Sequence, residues 1–134
     1  MAYATTTDLV RLGIGAAALT GVSSTIQEAA LESASDTADG YMRARYALPL
    51  TTWGDDLRRA VCAIAAWDLL CVRGFDPSRG GDVAVQARYE AAMLWLRDVS
   101  NGRAVVSGGN TDPTATRHAR ASGPRVTSDR TRGW

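Results

Sequence analysis

Asp39-Gly40-Tyr41-Met42-Arg43-Ala44-Arg45-Tyr46-Ala47-Leu48-Pro49-Leu50 reads as the end of a long helix that runs into an extended exit. Pro49 biases Leu48 out of the helical region, so Leu48-Pro49-Leu50 is expected to be extended. Upstream, Ser23 or Ser24 caps the helix, with Gln27 or Glu28 placed for a capping box. From about Thr25 to Tyr46, Ile26, Ala30, Ala34, Thr37, Tyr41 and Ala44 recur at three- or four-residue steps and predict one apolar stripe. The stripe is rich in Ala and therefore thin. Glu28, Glu32, Asp36, Asp39 and Arg43 fill much of the remaining surface. Gly40 weakens the helix by about 1 kcal/mol relative to Ala, which suggests a close backbone neighbour.

Before this helix, Thr5-Thr6-Thr7-Asp8 supplies a Thr N-cap and an acid in the first turn. It opens a short helix over about 6–12, which Gly13 and Gly15 stop. Residues 13–23 read as a loop that rests Leu19 and Val22 on the body. After the exit, Trp53-Gly54-Asp55-Asp56 starts a helix that is apolar nearly all round from Leu57 to Val72, as a central helix is. Asp68 is its exception, and burial would demand an Arg partner from a neighbouring helix or subunit. The loop from Arg73 to Gly81 is rich in turn residues but lacks the spacing of a phosphate loop. Asp82 starts the last helix, with a stripe of Val85, Tyr89, Ala92 or Met93, Leu96 and Val99. Asn101-Gly102 stops it.

A chain of 134 residues with 46% hydrophobic and 22% charged residues can bury a core without staples. Its charge is unevenly placed. Residues 1–112 hold ten Arg against thirteen acids, net −3, while residues 113–134 hold five Arg against one Asp, net +4. All fifteen basic residues are Arg, as a GC-rich genome favours. Cys62 and Cys71 lie nine apart on one helix and so on opposite faces, which precludes a bridge between them. Both read as buried free thiols in a reducing compartment. The apolar run from Leu12 to Val22 is too short for a membrane span and has the wrong flanks for a signal peptide.

After Gly102 the composition changes. Val105-Val106 suggests a brief strand. From Ser107 on, Val126 and Trp134 are the only large apolar residues. Such a segment cannot offset its ordering entropy alone, so a partner is expected to order it. Catalysis needs groups in concert. The single His, His118, stands in this tail without a companion, and no GxSxG or metal-ligand cluster occurs. The expectation is a protein that binds rather than catalyses, with no catalytic residue, cofactor or metal.

The opening Met1-Ala2-Tyr3-Ala4-Thr5 with Asp8-Leu9-Val10 resembles the phage Mu-like head-tail connector family. So do Gly40-Tyr41 through Arg45-Tyr46-Ala47-Leu48-Pro49-Leu50, the helix beginning near Leu57-Arg58-Arg59-Ala60, and Arg88-Tyr89-Glu90-Ala91-Ala92 with Trp95-Leu96 and Gly102. The resemblance covers roughly residues 1–106. It implies a small helical virion protein of the adaptor type, a homo-oligomeric ring, usually of twelve subunits, beneath the portal. Such a ring extends the DNA channel and docks the stopper or tail terminator.

These readings together predict an all-α bundle of one short and three longer helices over 1–106, with an extended basic C-terminal tail over 107–134. Tyr41, Arg45, Tyr46, Leu48, Pro49 and Leu50 are the expected subunit interface. Arg117, Arg120, Arg125, Val126, Arg130, Arg132 and Trp134 are the expected portal-binding tail. DNA would pass the lumen without sequence-specific binding, and no membrane partner is expected. The alternative reading is a small helical DNA-binding protein with a basic C-terminal arm. A third is a helical assembly chaperone or toxin-antitoxin partner.

Overall fold

The computed structural model describes residues 2–108. Among these the chain is all-α, with no strand. Helix α1 (Thr6–Asp8) is a single turn that continues as a π-helical segment, Leu9–Gly13, and a 3-10 turn follows at Ala16–Leu19. Three long helices complete the body: α2 (Ser24–Met42), α3 (Asp55–Arg73) and α4 (Gly80–Ser100).

Local chemistry accounts for the starts. Thr5 and Asp8 form a reciprocal capping box: the Asp8 amide donates to Thr5 Oγ1 at 3.2 Å, and the Thr5 amide to Asp8 Oδ2 at 3.0 Å. Ser23 caps α2 by accepting from the Ile26 amide. Gln27 does not complete a box there, because its side-chain amide donates to the Val22 carbonyl. Asp55 and Asp56 stand in the first turn of α3, where the helix dipole favours them.

The stops are tighter than the sequence suggests. Helix α2 ends at Met42 rather than Tyr46, and the Tyr46 amide turns back onto the Met42 carbonyl. Helix α4 begins at Gly80, two residues before Asp82. It ends in a Schellman motif, with the Gly102 amide on Val99 O at 3.2 Å and the Arg103 amide on Asp98 O at 2.8 Å. Gly102 takes φ +84°, which glycine adopts without strain.

Helix α3 is the centre. Ten of its residues are buried, from Leu57 to Leu70, and it packs on both α2 and α4. Gly13 lets the π segment lie directly on α3, since a Cβ there would meet the Cys62 carbonyl at 2.8 Å. Trp67 stacks on Tyr89 of α4 and meets Phe75 edge-on, closing the far end.

The face that α2 turns inward differs from the expected stripe. Leu31, Ala34, Ser35, Ala38 and Met42 are buried, whereas Ile26 is 52% exposed and Ala44 is exposed. The bulk of Leu31 and Met42 sets the rotation, and of the alanines Ala34 and Ala38 follow inward. Asp68 is exposed on the outer side of α3, and the Arg partner expected for it is absent among the described residues. Its pKa is nonetheless raised by partial desolvation. The buried acid is Asp82, which accepts from Arg73 at 2.8 Å and from the Asp76 amide at 3.1 Å. Cys62 is buried as expected, but Cys71 is exposed. It lies on the outward side of α3, next to Val72 at 83% exposure.

Candidate assembly interface

The exit stretch folds back on its own chain. Arg45 is 5% exposed, and its Nη1 donates to the Val99 carbonyl at 2.9 Å, near the C-terminal end of α4. A cation there is favoured by the helix dipole, and it satisfies a carbonyl of the last turn. Gly102 lies over the same guanidinium, with its missing Cβ 2.9 Å from Nη1. The Schellman glycine and the buried Arg45 thus depend on each other. Tyr46 is also buried, and its hydroxyl accepts from the Val106 amide at 3.0 Å. Leu50 is buried as well.

These contacts correct part of the expected interface. Arg45, Tyr46 and Leu50 have their side chains inside the chain's own core, because the exit must cover the ends of α2 and α4. Tyr41 and Leu48 remain half-buried and Pro49 exposed, so these three keep some of their surface open. The Leu48–Pro49 bond is cis.

Val106 leads into a clasp instead of the expected strand. The Gly54 amide donates to Ser107 O at 2.9 Å, the Ser107 amide to Asp56 Oδ2 at 2.8 Å, and Thr52 Oγ1 to Gly108 O at 2.6 Å. The last described residues therefore lie beside the start of α3, and Ser107 and Gly108 belong to the body's hydrogen-bond network. The expected tail residues Arg117, Arg120, Arg125, Val126, Arg130, Arg132 and Trp134 lie outside the described residues.

The N-terminus is pinned nearby. The Tyr3 amide donates to Ser35 Oγ at 2.9 Å, its hydroxyl donates to Asp39, and Trp53 Nε1 donates to the Tyr3 carbonyl at 2.7 Å. The two rings meet edge-on at 4.8 Å. Burial, followed by the Asp39 contact, raises the Tyr3 pKa.

Two unlike surfaces remain. The outward face of α2 presents Ile26, Ala29, Ser33, Asp36 and Gly40, with Glu28 and Glu32 along one edge. The helix carries four acids and no Lys or Arg. Elsewhere, the π segment, α3 and α4 enclose a cleft of about 700 Å³. Its floor is Ala60, Ala63 and Ala92, its walls Leu12 and Trp95, and its rim Arg11, Arg59 and Arg88. Among the described residues, no group of three or more His, Cys, Asp or Glu could hold a metal ion. Nor is any described helix long and apolar enough to cross a membrane.

The family described as Bacteriophage Mu, Gp36 matches residues 3–123, which include the pinned Tyr3, the exit and the clasp. The chain belongs to this family. It is also similar to gene product J of Escherichia phage Mu, at 35% identity over 78 residues. That match covers 58% of this chain and 50% of the Mu protein, so the similarity spans half of that relative. The Gp36 match continues past Gly108, the last described residue, to residue 123.

Proposed function

We propose that this Gp36-family protein is a structural virion component, a head-to-tail adaptor that forms a ring under the portal, extends the DNA channel and docks the stopper or tail terminator. The observation that carries this reading is the family match across residues 3–123. Two features support it. The body offers two polar-edged surfaces of different chemistry. The exit and the clasp hold the start of the C-terminal segment at one place, beside α3, from which a basic tail can reach an acidic portal surface.

Purified particles test the proposal. The protein should be found in them by mass spectrometry, and gold-labelled antibody should mark the neck. Its absence from finished particles overturns the adaptor role and returns the choice to a DNA-binding arm or an assembly chaperone. Binding to duplex DNA that collapses as salt rises would favour the arm.

A further inference from the structure

We infer that the cleft between the π segment, α3 and α4 receives the outward face of α2 from a second copy of this chain. The inference rests on the ring reading and names the contact that would build the ring.

The cleft runs between two packed helices, and its floor is alanine. A third helix can settle into such a groove if its own facing residues are small. The outward face of α2 has that character, with Ala29, Ser33 and Gly40 along its middle. A Cβ on Gly40 would meet nothing within 4 Å, so no packing among the described residues accounts for a glycine inside this helix. An approaching backbone from another copy does account for it. Ile26, 52% exposed on the same face, supplies an apolar knob for the wall of Leu12 and Trp95.

Charge points to the same occupant. Arg59 has no hydrogen bond or ion pair with another described residue, and Arg88 uses Nη1 on the Gly13 carbonyl at 3.0 Å. Arg11 is shared between Asp8 and Asp55. The cleft's two acids are already engaged. Asp55 pairs with Arg58 at 3.0 Å, and Asp56 accepts from the Leu57 and Ser107 amides. The guanidiniums of Arg59 and Arg88 therefore face outward with donors to offer. Glu28 and Asp36, exposed on a helix without a basic residue, match that need. No residue of α2 lines the cleft, so each copy offers one surface and receives the other. A contact of that heterologous kind repeats around a ring when the rotation closes.

Sedimentation velocity on the full chain tests the contact, with Arg59→Glu, Asp36→Arg and the two combined. Both positions are exposed, so circular dichroism should show the helices intact in all three. The wild-type chain should self-associate, more weakly as salt rises. Each single reversal should weaken association by about tenfold or more, and the combined variant should recover most of it. Association indifferent to both single changes, or a combined variant no better than either, overturns the α2–cleft contact. If such variants still form neck rings in particles, the adaptor reading stands without it. A full chain that stays monomeric at every concentration and salt also overturns the contact, and particle labelling then decides the adaptor role separately.

Discussion

Arg45 shows how much one side chain can hold. It is a buried charge whose Nη1 hydrogen bond goes to a carbonyl in the last turn of α4. Removing it leaves the Val99 oxygen without that donor and a void beneath Gly102. Arg45→Met should lower unfolding free energy by about 2–4 kcal/mol, measured by chemical denaturation. Gly102→Ala attacks the same junction from above, through a positive φ and a contact with the guanidinium. Its expected cost is roughly 1–2 kcal/mol, and because the two sites touch, the double change should cost less than the sum. Gly40→Ala should do the opposite. Its Cβ meets open space, so the isolated chain should gain about 1 kcal/mol of stability.

The two thiols give a test of which side of α3 is inward. Burial pushes the Cys62 thiol up to about 12 from an ordinary 9.0, whereas Cys71 is exposed. The native chain near pH 8 should alkylate at Cys71 and leave Cys62 untouched until it unfolds. Linkage follows from the same shift. Below pH 9.0 neither state ionises Cys62, so it gives no pH dependence. Between 9.0 and about 12 the unfolded chain loses this proton first, and the folded state should lose stability there. A denaturation midpoint that falls over that range, and falls less in Cys62→Ala, checks this.

At the level of elements, the first three helix starts and the last stop were legible because they rest on neighbours in sequence, whereas the end of α2 and the start of α4 were not. The Thr N-cap with Asp8 in its first turn, the Ser23 cap, the acids before Leu57 and the Asn101-Gly102 stop all act within a few residues. The central place of α3 was also legible, since a helix apolar on every side has few other places to lie. The rotation of α2 was not. Its alanines fit two overlapping stripes, and only packing of Leu31 and Met42 against the other helices chooses between them. Asp68 misled for a related reason. It sits in an apolar run, but Cys71 and Val72 on the same outward side are exposed as well.

For the molecule as a whole, the clasp ties Ser107 and Gly108 to the start of α3. The boundary read from composition, between 106 and 107, falls inside the clasp. Deleting 109–134 should leave the helical signal and the unfolding midpoint unchanged. Cutting after 103 should instead cost about 2–3 kcal/mol, because it removes buried Val106, the hydrogen bond from its amide to the Tyr46 hydroxyl and the Ser107 pairings. Thermal denaturation of the two truncations separates these outcomes. If the tail carries portal attachment, the longer truncation should fold yet fail to join portal rings.

The sequence by itself determined an all-α body, the starts of its first three helices, its central helix and its membership of a phage Mu family. Caps, proline and unbroken apolar runs act locally and need no fold to be read. Tertiary structure alone decided that Arg45, Tyr46 and Leu50 belong to the core. The residues next to Arg45 and Tyr46 in sequence do not reveal which distant groups their side chains meet. Their partners here, Val99, Gly102 and Val106, stand more than fifty residues away and meet them only when α4 folds across the end of α2.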